Sequence, residues 1–108
     1  MTATTNIFAD MPATRDAEQI TTLLTSSALR IERIVSHGEV SPPGFWYDQP
    51  QAEWVIVLAG AARLRFEGDA ADTSLAAGDY LHIAAHRRHR VVWTDPAQAT
   101  VWLAVHHD

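Results

Sequence analysis

Histidine is the residue type in this chain best suited to chemistry, and its distribution is uneven. Five of the six His lie between residues 82 and 107, and three of them, His82, His86 and His89, fall within eight residues. Neutral imidazole ligates zinc, iron, nickel and copper, so such a cluster can hold a divalent metal. A solvated basic turn, His86-Arg87-Arg88-His89-Arg90, explains the same residues without any ligand. A second segment, Gly44-Phe45-Trp46-Tyr47-Asp48-Gln49-Pro50-Gln51-Ala52-Glu53, places a carboxylate at the head of the apolar run Trp-Val-Ile-Val-Leu. A carboxylate there either stands at an exposed strand end or has a partner. A metal ion is one such partner. Arg63 or Arg65, on the strand that follows, is another.

These residues need a scaffold, and the hydrophobic pattern describes one. Residues 1–13 are small and polar, with Ile7, Phe8 and Met11 as anchors, and read as an arm. Asp16 and Gln19 form a capping pair, and Ile20, Leu23 and Leu24 fall at helical spacing, which predicts a short N-terminal helix. From Leu29 onward the texture is that of strands. Leu29 to Val35, Glu53 to Leu58, Ala62 to Glu67, Thr73 to Leu75, Tyr80 to Ile83, His89 to Thr94 and Thr100 to Val105 alternate or run apolar between turn signals. About seven short strands at this spacing predict an all-β sandwich or barrel. Ser41-Pro42-Pro43-Gly44 interrupts pairing, because successive prolines donate nothing to a ladder. The predicted division is an arm and helix over 1–28 and a barrel over 29–108. Leu29, Ile31, Val55, Val57, Leu64, Phe66, Leu81, Ile83, Val91 and Leu103 are the expected core.

Composition narrows the function. A chain of 108 residues is one domain. It has 8 basic and 13 acidic residues, a net charge of −5, and an acidic surface of this kind disfavours nucleic acid and anionic membranes as partners. All the basic residues are Arg, so Schiff-base and P-loop lysine chemistry is excluded. Cysteine is absent, which excludes disulfides, thiolate metal sites and Cys nucleophiles. No nucleotide or organic cofactor is implied. The first residues lack a basic stretch followed by an apolar one, so the expected compartment is the cytoplasm.

Taken together, the two segments resemble the motifs of the cupin superfamily. Glu53 and Gly60 are separated by six residues, as in its first motif. Gly78-Asp79 followed by Ala84-Ala85-His86-Arg87-Arg88-His89 resembles its second, with His89 on the motif's histidine. The resemblance covers about residues 29–106 and implies an all-β, double-stranded β-helix (jelly-roll) barrel of the small single-domain kind. It also implies a divalent metal (Fe, Mn, Ni or Zn) held at the barrel mouth by four residues. Here two of those positions keep Glu53 and His89. The two histidine positions of the first motif carry Tyr47 and Gln49 instead. Gln is a weak neutral ligand, and Tyr binds only as phenolate. His86, His82, His106 and His37 are the candidates to complete the set, with His86 nearest to His89.

The resemblance supports three readings. The first is a metal-dependent enzyme, dioxygenase-like or isomerase-like, with Glu53, His89, Gln49 and His86 on the metal and Tyr47 as proton donor. The second is a non-catalytic module that binds a small molecule among Trp46, Tyr47, Trp93 and His106, with a degenerate metal site. The third is a structural barrel. Trp54 and Trp102, if they face outward, would form the seam of a homodimer, the assembly that the resemblance favours.

Overall fold

The computed structural model describes residues 2–12 and 17–108. Eight strands make the fold: β1 (Gln19–Thr25), β2 (Leu29–Ser36), β3 (Ala52–Ala59), β4 (Ala61–Phe66), β5 (Thr73–Ala76), β6 (Tyr80–Ile83), β7 (His89–Thr94) and β8 (Thr100–His107). They form a five-stranded sheet in the order β1-β2-β8-β3-β6 and a three-stranded sheet in the order β5-β4-β7. All the pairings are antiparallel. This is the expected all-β jelly roll. None of the described residues forms a helix, so none forms a helix able to cross a membrane.

The predicted N-terminal helix is a strand, although Asp16, its proposed cap, lies outside the described residues. Ile20, Leu23 and Leu24 are all exposed, so a helical stripe would have had no core to face. The intervening Thr21, Thr22 and Thr25 are β-branched and suit a pleated edge strand. Strand β1 pairs with β2 over its length, with a register shift between Thr22 and Leu24. That shift turns the two ends of β1 to opposite faces. Ile20 consequently lies opposite Ile34 on the inner face, and Leu24 opposite Ile31 on the outer one.

The core lies between the sheets. Val55 and Val57 from β3, Ala62, Leu64 and Phe66 from β4, Leu75, Ile83, and Trp102 and Ala104 from β8 pack together, with Leu81 and Val91 against them. Leu29, Ile31 and Leu103, expected inside, face the other way. Residue Ile31 pairs with Val105, and Arg33 with Leu103, on the outer face of the large sheet. The even-numbered residues of β2 and β8 therefore face in, and these include charged side chains.

Gly60 carries the chain from one sheet to the other. Its φ is +83°, and a Cβ there would come within 2.4 Å of Thr100 Oγ1 and 2.6 Å of Thr100 Cα. Only glycine permits both the left-handed backbone and the close approach. Strands β3 and β4 are consecutive in sequence but belong to different sheets. Segment 37–51 spans the barrel end without strand pairing beyond an isolated bridge between Tyr47 and His89. Ser41 replaces a strand there: its N–H donates to Val91 O at 2.9 Å, and its Oγ accepts from Val91 N–H at 3.0 Å.

Candidate functional site

A cavity of about 270 Å³ opens between the sheets. Its walls are largely apolar: Ile20, Ile34, Val55, Leu64, Ile83, Val91 and Trp102. Its polar groups are Glu18, Arg30, Glu32, Tyr47, Gln49, Glu53, His89 and His106. A mainly apolar concavity with a few converging polar groups is the usual form of a small-molecule site.

Strand register places Arg30, Glu32, Glu53, His89 and His106, and an isolated bridge to His89 places Tyr47. Residue Glu53 lies opposite His106 across β3 and β8, so both side chains project inward beside each other. Its partner is neither Arg63 nor Arg65. Arg63 lies over the Trp93 ring and Arg65 pairs with Asp72 at 2.9 Å, both on β4 in the other sheet. Glu53 Oε1 instead accepts from Gln49 Nε2 at 3.4 Å. The backbone bridge between Tyr47 and His89 stacks the phenol on the imidazole, with ring centroids 5.3 Å apart. His89 Nδ1 donates to the Arg87 carbonyl at 2.8 Å, which fixes the ring. His106 Nε2 donates to Glu32 Oε1 at 2.9 Å, and Glu32 Oε2 lies 3.2 Å from Arg30 Nε.

Two of these groups have perturbed acidity. Burial pushes the Tyr47 phenol above its ordinary value, and the carboxylates of Glu18 and Glu53 push it the same way. The phenol is thus held neutral, a hydrogen-bond donor rather than a phenolate ligand. Burial likewise raises the Glu18 carboxyl, against the bond from Ser36 Oγ at 3.0 Å and with added repulsion from Glu39.

The structure brings together Tyr47, Gln49, Glu53, His89 and His106 from the candidate set, and leaves three candidates outside the cavity. His86 adopts φ 62° in the turn before β7, and its Nδ1 contacts Asp48 at 2.7 Å on the surface. Trp46 alternates with Tyr47 and so faces away, under the guanidinium groups of Arg88 and Arg90. Trp93 is turned out by a β-bulge: Leu64 pairs with Val91 and Arg63 with Trp93, leaving Val92 as the extra residue. Of the other histidines, His82 meets His107 at 3.0 Å on the outer face. Trp102 is 4% exposed and donates to Ser36 Oγ at 3.2 Å, so it cannot share an outer seam with Trp54. Trp54 does face outward, against Tyr80.

Glu18, Arg30, Glu32 and Trp102 line the cavity without having been expected there. Arg30 and Glu32 alternate with Leu29 and Ile31, and the rule of apolar residues inward assigns them to the wrong face. Nothing in their local pattern signals otherwise.

The donor set does not fit a tightly held divalent ion. Tyr47 and Gln49 stand where the resemblance calls for two imidazoles, and the Gln49 amide nitrogen is turned toward Glu53. Among the described residues no three His, Asp or Glu side chains are grouped to hold a metal. Zinc sites use three or four strong protein ligands.

The sheet order and the cavity enclosed between the sheets define a small jelly-roll barrel with an internal cavity. The cupin domain family matches residues 32–106, and the chain belongs to it. Among solved structures it is similar to a protein of Ralstonia eutropha JMP134 named as a "putative mannose-6-phosphate isomerase", at 52% identity over 99% of both chains with a TM-score of 0.95. A cupin superfamily protein of Desulfitobacterium hafniense DCB-2 shares the fold at 18% identity, covering 90% of this chain and 83% of that one with a TM-score of 0.74. A Streptococcus pyogenes protein of unknown function does so at 16% identity, covering 100% and 89% with a TM-score of 0.78. No curated protein matches the chain.

Proposed function

We propose that this cupin binds one small organic molecule in the barrel cavity. The observation that carries this reading is the cavity itself. About 270 Å³ of space is walled by aliphatic side chains and Trp102, with Tyr47, Gln49, Glu53, His89 and His106 converging on it. Apolar walls supply affinity by area, and the fixed polar groups supply orientation. Tyr47 and His89 are locked to each other through backbone and ring, so little order remains to be imposed on binding. A fragment screen by protein NMR tests the reading. Binders should perturb the Trp102 indole and the inner residues of β3 and β8. The absence of any binder, or perturbations confined to the outer face, would refute it.

A second reading has a specific observation behind it. Glu53, His89 and His106 are a carboxylate and two imidazoles at one cavity, the parts needed to move a proton on and off a carbon next to a carbonyl. The name of the Ralstonia protein points to isomerisation as well. In this isomerase-like reading a carboxylate or imidazole takes the proton, and neutral Tyr47 donates to the substrate oxygen. Deuterium uptake from heavy water into mannose or mannose 6-phosphate, followed by proton NMR, tests it. No exchange above the protein-free rate would remove this second reading and leave the first intact.

A further inference from the structure

We infer that the cavity selects a small organic cation, an ammonium group on a compact apolar body, over neutral alcohols and phosphate esters. This rests on the ligand-binding reading above and names the class of ligand.

Charge is the first argument. Glu18, Glu32 and Glu53 line the cavity against a single guanidinium, Arg30, among the described residues. That guanidinium is in an ion pair, with Nε 3.2 Å from Glu32 Oε2, although this Nε is buried and makes no hydrogen bond among the described residues. Side-chain recognition of phosphate favours an Arg fork or a Lys ammonium, and the chain contains no Lys. A phosphate dianion entering here would meet three carboxylates against one guanidinium, whose charge Glu32 already offsets.

Hydrogen-bond polarity is the second argument, and it is independent of the first. The Arg87 carbonyl can only accept, so His89 Nδ1 carries the proton in their 2.8 Å contact. In the neutral ring Nε2 is then a lone-pair acceptor. An ionised Glu32 also only accepts, so His106 Nε2 is the donor in their 2.9 Å contact. In the neutral ring Nδ1 of His106 is left as an acceptor, buried and without a partner among the described residues, on a residue only 5% exposed. As neutral rings, both cavity histidines are thus set as acceptors by their partners, the Arg87 carbonyl and Glu32. A ligand complementary to these carboxylates and imidazole lone pairs brings donors and positive charge, with the Tyr47 hydroxyl left to donate to an accepting atom beside them. Burial first, and then the carboxylates of Glu18 and Glu53, make the Tyr47 phenol a weaker acid, in keeping with the same negative field.

The apolar wall decides the ligand's body. Val55, Leu64, Ile83 and Trp102 face the space that a bare metal ion would leave unfilled. An aliphatic ammonium uses both halves of the site.

The test uses the full chain, stripped of metal with chelator and dialysed. Matched sets of primary amine, alcohol and phosphate ester on the same small aliphatic bodies are titrated calorimetrically, with mannose 6-phosphate added to the phosphate group. The amines should bind about tenfold or more tighter than their alcohols, the weight of one hydrogen bond to a charged group. The phosphate esters should not bind. Glu53→Gln should reduce the amine-to-alcohol ratio toward one. Alcohols or phosphates that bind as tightly as the amines would overturn the inference while leaving the ligand-binding reading standing. So would an unchanged ratio in Glu53→Gln, or a manganese or zinc ion that displaces the amine at equal concentration. Failure of every member to bind would remove the ligand-binding reading and this inference with it.

Discussion

The Glu32–His106 contact is the polar link most exposed to a quantitative check, because it joins a buried imidazole to a carboxylate on a neighbouring strand. The His106 side chain is 6% exposed and that of Glu32 14% exposed. A hydrogen bond to a charged group under such burial contributes about 1.5–3 kcal/mol, and a neutral one about 1 kcal/mol. Glu32→Gln keeps the shape and an accepting oxygen, so it should lose the difference, about 1–2 kcal/mol. In a domain of this size that corresponds to about 4–8 °C in Tm. Relief of the buried charge acts in the opposite direction, so the single variant is a blunt measure. A double-mutant cycle with His106→Gln removes that ambiguity, since the relief appears in both arms and cancels. Urea unfolding should give a Glu32–His106 coupling of about 1–2 kcal/mol. The parallel cycle with Arg30→Gln should give less than about 1 kcal/mol, because the Arg30 side chain is 42% exposed. A vanishing coupling to His106, or a larger one to Arg30, would refute the assignment of His106 as a ring fixed by Glu32.

Gly60→Ala should destabilise the fold by about 2–5 kcal/mol, from the left-handed backbone together with the clash against Thr100, as read from denaturant midpoints; a change below about 1 kcal/mol would contradict the close approach there. Glu18 has its folded value raised by burial, so its contribution to stability is greatest below its unfolded value near 4.5 and is lost as pH rises through the folded one. Glu18→Gln should therefore be more stable than the parent at pH 7, with the gap closing as pH falls toward 4, in a series of thermal melts. Mass spectrometry of tag-free protein purified without chelator should find metal well below one ion per chain, and the same amount in Glu53→Gln; a stoichiometric ion lost in that variant would show that Tyr47 and Gln49 still support a metal site. The proposed homodimer now rests on the outer face around Trp54 and Tyr80, the latter 64% exposed. Light scattering at tens of micromolar should then give twice the chain mass, reduced to one in Tyr80→Arg, and a monomer for the parent chain would end that proposal.

Much of the barrel was legible in the chain because strand and turn signals are local. Glu53 to Leu58, Tyr80 to Ile83 and His89 to Thr94 lie within or coincide with observed strands, and the proline pair marks a real gap in pairing. The helix over Ile20, Leu23 and Leu24 failed for a non-local reason. Spacing cannot report that strand β2 offers an unpaired edge, and the bulge at Thr22–Leu24 produces a mixed pattern that resembles helical periodicity. The face of each strand was less legible still. On β2 the apolar residues Leu29 and Ile31 face outward and the charged Arg30 and Glu32 inward, so hydrophobicity alone inverts the strand. That inversion is itself informative, since charge is placed inside a barrel at a desolvation cost that only partners or a ligand can offset.

The site was legible to the extent that its residues sit in sequence motifs, and illegible where they meet across sheets. Tyr47, Gln49, Glu53 and His89 come from two motif segments and converge as expected. His86, three residues from His89, does not, because a positive-φ turn separates their directions. His106 converges although 53 residues separate it from Glu53, because β8 lies between β2 and β3 and brings it beside both Glu32 and Glu53. Arg63 and Arg65, close to Glu53 along the chain, are removed from it because Gly60 passes the chain to the other sheet. The same topology explains why two motif positions can lose their imidazoles while the cavity keeps a defined polarity. The remaining acceptors are held from β2, β3, β7 and β8 by strand register and by hydrogen bonds behind each ring. A site arranged in this way does not need a central ion to orient its side chains.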